Sequence, residues 1–198
     1  MTSILTSLGR TVLAGLILLL IIIFALGGFA GNGWTLFTFR WLHVTSGVMW
    51  IGLLWYFNFV QIPSMPKIPD EQKPAISKVI APAALFWFRW AALATVVTGL
   101  LVAIISGYAH QAFTLQPAFR AIGLGMWIAL IMAFNVWFII WPNQKRALGI
   151  VTVEPDVKAK SARVAMLTSR INTVLSIPML FLMSAQSHNQ GWFVAIIS

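Results

Sequence analysis

TVLAGLILLLIIIFALGGFA, residues 11–30, runs twenty positions without a charge and follows a single cation, Arg10. At about 1.5 Å of rise per residue, a helix of that length matches the roughly 30 Å hydrocarbon core of a bilayer. The small residues Gly28 and Ala30 have the spacing of a signal-peptide cleavage site, but the run outlasts the usual apolar region of about 7–15 residues. The stretch therefore predicts an uncleaved first transmembrane helix.

The rest of the chain has the same character. Of its 198 residues, 60% are hydrophobic and 9% charged, with a mean hydropathy of +0.89. That is too little charge to solvate a globular surface, so the expected solvent is lipid. The sequence predicts an all-α polytopic bundle of about five helices in a single transmembrane domain, residues 1–198. The spans fall at about 11–30, 37–60, 83–107, 118–141 and 163–187. Pro63 is expected to end the second span and Pro142 the fourth, because proline has no N–H to continue the helical ladder. Residues 61–82, with Pro63, Pro66, Pro69 and Pro74 among charged residues, read as a water-exposed loop with a short interfacial helix at 71–80. Residues 191–198 are too short to span and are expected at the interface. Pro178 is expected to kink the fifth helix.

Charge sets an expected orientation. Arg10, Lys67, Lys73, Lys78, Lys145, Arg146, Lys158, Lys160 and Arg163 fall at the leader and the two long loops, whereas the opposite ends hold Arg40 and Arg120. Cations near span ends are retained in the cytoplasm. The N-terminus is thus expected in the cytoplasm and the C-terminus in the periplasm of a bacterial inner membrane. The four acids, Asp70, Glu71, Glu154 and Asp156, lie in the same loops, leaving no intramembrane carboxylate for a proton or sodium pump. The net charge of +9 is read as topology and affinity for membrane lipid rather than for nucleic acid. With no cysteine, the chain has no ligands for an iron–sulfur cluster and no attachment thiols for a covalent haem c.

Two sets of polar residues must be held inside this bundle. His43, His110 and His188 fall on the same predicted side. Two of them, His43 and His188, could ligate a non-covalent haem b, or all three a copper or zinc ion; the alternative is that His43 only bonds a neighbouring carbonyl. Nearer the other side lie Asn58, Arg89, Asn135, Arg170 and Asn172. If both arginines point inward they form a fork suited to a planar anion, with asparagine amides as complementary donors and acceptors; otherwise they snorkel to headgroups. No nucleophile with a partnered base is present, and no catalytic residue is assigned.

Several motifs carry a family resemblance. They are Arg40-Trp41-Leu42-His43-Val44 through Gly47-Val48-Met49-Trp50-Ile51-Gly52, Phe86-Trp87-Phe88-Arg89-Trp90-Ala91, Phe134-Asn135-Val136-Trp137, and Ser169-Arg170-Ile171-Asn172-Thr173. Over residues 37–188 the chain resembles the membrane domain of the bacterial membrane-bound urate hydroxylase family, the urate oxidase N-terminal domain. The resemblance implies purine metabolism, urate as substrate and electron transfer to the respiratory chain, hence an oxidoreductase if the chain is an enzyme. Full-length members carry a cytochrome c domain; this sequence resembles the short stand-alone members, so a separate cytochrome c is the implied acceptor. The competing expectation is a non-catalytic membrane subunit of a larger respiratory or metal-handling complex. A small-molecule permease fits less well, because no internal repeat is visible.

Overall fold

The computed structural model describes residues 2–26 and 33–185. Among them every regular element is helical, and four helices are long and apolar enough to cross a membrane. Contacts divide the chain into two compact units, residues 1–38 and 39–198.

The first unit holds α1, Leu8–Ala25, which buries none of its residues and has a mean hydropathy of 2.5. A helix apolar on every side has lipid as its natural surroundings.

Four helices build the rest. Helix α2, Trp34–Trp55, enters the second unit; α3, α4 and α5 are Ala81–Ile105, Arg120–Phe134 and Pro155–Ala185. The spans extend beyond these cores, to Lys73–Ile105 and Pro117–Ala147 for α3 and α4. Helix α2 corresponds to the second predicted span; its tryptophans, threonines, Arg40 and His43 dilute its hydropathy, and it is not among the four most apolar helices.

The proline boundaries differ from expectation for one physical reason. A π-helical turn at Tyr56–Gln61 carries the chain through Pro63 into Ile62–Ser64. A second, Ile76–Ile80, precedes Pro82, and a third, Asn135–Ile140, precedes Pro142 and the continuation Trp141–Ala147. In each case the residue just before the proline donates its N–H five residues back: Ile62 to Phe57, Ala81 to Ile76, Trp141 to Val136. Proline removes one donor and its ring crowds the carbonyl four residues back. A wider turn moves that carbonyl aside, so the helix continues instead of ending. The predicted loop 61–82 is accordingly mostly helical. The fifth helix also begins earlier than predicted, with Pro155 opening the first turn and Asp156 beside the positive end of its dipole. Pro178 lies within α5 without interrupting it.

Packing gathers the interior into three clusters, the smallest of them Ala121 with Leu182 and Ala185. Trp50, Leu54 and Phe57 of α2 and its π turn meet Leu85, Phe88 and Ala92 of α3, Met132 of α4 with Val136 and Ile140, and Met179 of α5. A second cluster joins Ala103, Ala112, Ile122 and Met126, where the short helix Ala109–Phe113 closes over α4. Gly123 permits that closure, because a Cβ there would strike the Ala112 carbonyl. Gly125 similarly lets the α5 backbone approach, a Cβ lying 3.2 Å from that of Leu182. Small residues at crossings are how membrane helices gain packing where lipid offers no hydrophobic drive.

Candidate functional site: a polar seam and a tautomer-fixed histidine

Helix α5 is amphipathic in a sense fitted to lipid. Its buried face reads Ser161, Ala165, Thr168, Ser169, Asn172, Ser176 and Met179 at spacings of three and four, while Ile171, Val174 and Ile177 face out. The polar stripe therefore points inward.

Three partners meet it. Asn58, in the first π turn, donates from Nδ2 to Ser169 Oγ at 2.8 Å and to the Leu54 carbonyl at 2.9 Å. Trp55 Nε1 donates to Ser176 Oγ at 3.0 Å, and that hydroxyl donates to the Thr173 carbonyl at 2.7 Å. Asn135, opening the third π turn, donates to Asn172 Oδ1 at 2.8 Å, and Asn172 Nδ2 donates to the Met132 carbonyl at 2.9 Å. Asn172 is wholly buried. Asparagine pairs of this kind join helices where water is absent, here with the Asn172 amide accepting from Asn135 and donating to the Met132 carbonyl.

The five residues of the predicted anion pocket thus separate. Asn135 and Asn172 bond each other; Asn58 bonds Ser169 but leaves its own Oδ1 buried without a partner. Arg170 is exposed, one position from buried Ser169 and two from buried Asn172, so it points outward. The inward fork is not formed, because 100° of rotation per residue cannot put Arg170 on the seam that Ser169 and Asn172 occupy. Arg89 is half-buried with Cζ 3.8 Å from the ring centroid of Trp141 and 5.5 Å from that of Phe86, a cation–π contact on both.

His43 lies between α2 and α3. Its Nδ1 is 2.8 Å from the Thr95 carbonyl, and Thr95 Oγ1 donates to the Ala91 carbonyl at 2.7 Å. A carbonyl only accepts, so Nδ1 carries the proton and the neutral ring presents a lone pair at Nε2. Gly99 makes this possible: a Cβ there would lie 2.6 Å from Cε1 and 2.8 Å from Nδ1. A Nδ1–H bonded to a backbone carbonyl is also the arrangement that orients a histidine whose Nε2 ligates a metal.

His110 is exposed in the short helix Ala109–Phe113, and His188 lies outside the described residues. Among the described residues no three metal-ligating side chains cluster. Ser169, Ser176 and Trp55 are seam residues that were not among the expected site residues; the spacing of small hydroxyl residues along α5 is the signal that marks the two serines, and nothing in the sequence marks Trp55.

An all-helical protein with four helices long and apolar enough to cross a membrane, and a buried hydrogen-bonded seam, is the class these features define among the described residues. The chain matches the family described as Urate oxidase N-terminal over residues 100–196. Asn135, Arg170 and Asn172 fall inside the matched stretch; His43, Asn58 and Arg89 precede it. No curated protein and no solved structure matches the chain.

Proposed function

We propose that this is a redox-associated integral membrane protein with a urate-linked role, in which His43 would hold a non-covalent haem b. The observation that carries the reading is the Nδ1 bond of His43 to the Thr95 carbonyl above Gly99, which fixes the tautomer and leaves Nε2 for iron. Such a haem supplies one-electron chemistry, and the family match suggests urate as the reductant. The chain's own residues orient the imidazole. The buried, unpartnered Oδ1 of Asn58 is an acceptor for an N–H of an oxopurine. Electrons leave to a separate cytochrome c, and the cation-rich loops face the cytoplasm of a bacterial inner membrane, as the charge distribution supports.

An absorption spectrum of the purified full chain tests the reading. A Soret band that is lost in His43→Ala, and is bleached or shifted by urate in the wild type, is the expected result. Absence of any Soret band after expression with haem supplied would end it.

A further inference from the structure

Helix α4 continues past Pro142 as Trp141–Ala147, and on one face of that continuation Trp141, Gln144 and Lys145 stand three and four residues apart. Two cations reach the same indole. Arg89 arrives from α3 with Cζ 3.8 Å from the Trp141 centroid, and Lys145 places Nζ 5.6 Å from it. Neither has an ion-pair partner among the described residues. Beside them Gln144 Oε1 is buried with no hydrogen-bond partner. Two like charges drawn to one ring, with an unused acceptor at the next turn, are an arrangement completed by an anion that also carries a hydroxyl.

The surroundings select the source of that anion. Phe86, on which Arg89 also rests, is 45% exposed and Phe138, one π turn before Trp141, is 68% exposed. Apolar side chains open to lipid therefore flank the cations. This is an approach for acyl chains, not for a hydrated ion. The continuation Trp141–Ala147 also carries Arg146, and the first turns of α5 carry Lys158 and Lys160, cations of the kind that meet headgroups.

We propose that Arg89, Trp141, Gln144 and Lys145 form a binding site for an anionic phospholipid, with Arg89 and Lys145 on the phosphodiester and Gln144 Oε1 accepting from a headgroup hydroxyl, as phosphatidylglycerol provides. The site is independent of the haem reading: its occupancy is measured without any chromophore.

Native mass spectrometry of the detergent-solubilised full chain, titrated with phosphatidylglycerol, phosphatidylcholine or glycerol 3-phosphate, tests it. Phosphatidylglycerol is expected to form a one-to-one adduct at about tenfold lower concentration than phosphatidylcholine, whose headgroup adds a positive charge. Arg89→Gln with Lys145→Gln should erase that preference, and an unchanged thermal melt identifies a folded variant. Gln144→Leu should weaken phosphatidylglycerol but not phosphatidate, which lacks the glycerol hydroxyls. Three wild-type results overturn the proposal without any variant. They are equal affinity for phosphatidylcholine, equally tight binding of glycerol 3-phosphate (a free-phosphate site), and displacement of the lipid by urate (an oxopurine site).

Discussion

Asn135 and Asn172 are joined side chain to side chain at 2.8 Å, across the contact between α5 and the π turn that follows α4. Asn172→Ala removes an acceptor from buried Asn135 and a donor from the Met132 carbonyl. An unsatisfied buried polar group costs about 1–3 kcal/mol, toward the lower end between membrane helices. The thermal midpoint in detergent should fall, and the double change Asn135→Ala with Asn172→Ala should cost less than the sum of the two singles. Additive losses would show that the amides do not act as a pair.

Gly99→Ala places a methyl against the His43 imidazole. The ring must leave the Thr95 carbonyl, so this variant should be destabilised by about 1–3 kcal/mol, the range for overpacking. Adding His43→Ala should recover part of the loss. A Gly99→Ala protein as stable as wild type, measured by thermal unfolding, would contradict the packing described.

Pro142→Ala restores a donor and relieves the crowding that accompanies the π turn at Asn135–Ile140. The turn should tighten toward α, rotating the helix on one side of it and loosening Asn135 from Asn172. Because the chain contains no cysteine, a cysteine pair introduced at 135 and 172 is unique and needs no background removal. Its oxidative cross-linking should fall when Pro142 is also replaced, and unchanged cross-linking would refute the role assigned to the proline.

The Tyr108 phenol, in the link after α3, has its pKa pushed up by burial, an effect that nearby Arg40 partly opposes. A raised folded-state value means that the folded chain holds the phenolic proton more tightly than the unfolded chain. The resulting stability is present below the unfolded value of about 10 and is lost as pH rises through it toward the folded value. Thermal midpoints should therefore decline above about pH 10, and Tyr108→Phe should flatten that part of the profile. An identical decline in the variant would assign the effect elsewhere.

Orientation is tested by single cysteines at Glu71 and Glu154, in the two cation-rich connections. Both should react with an impermeant maleimide in inverted vesicles and not in intact cells. The reverse pattern would place those loops in the periplasm.

The helical class was legible in the chain because apolar runs of span length have few alternative readings; the number was less so, since about five spans were expected and four helices among the described residues are long and apolar enough to cross. Boundaries at proline were less legible. The ring's effect on its own turn is read from one residue, but the compensating π turn is built from the backbone of the residues before it, and nothing in Tyr56–Gln61 marks it by type. The polar layer was half legible. Asn135 and Asn172 stood out as costly groups in lipid, yet the pairing that satisfies them depends on helix rotation. Arg170 lies two residues from Asn172, and that interval alone turns it outward. His43 stood out for the same reason as the asparagines, whereas its bond depends on Gly99, whose absent side chain carries no chemical signal of its own.

The three π turns have a genetic consequence. Each is a place where the chain carries a residue more than an α-helical path between the same two points would need. Gain or loss of a single codon there can be absorbed within the turn, so that the helix beyond it keeps its facing. The same change in the middle of α5 would rotate everything after it by about 100° and carry Asn172 off the seam. Single-residue length variation among related chains should therefore collect just ahead of Pro63, Pro82 and Pro142.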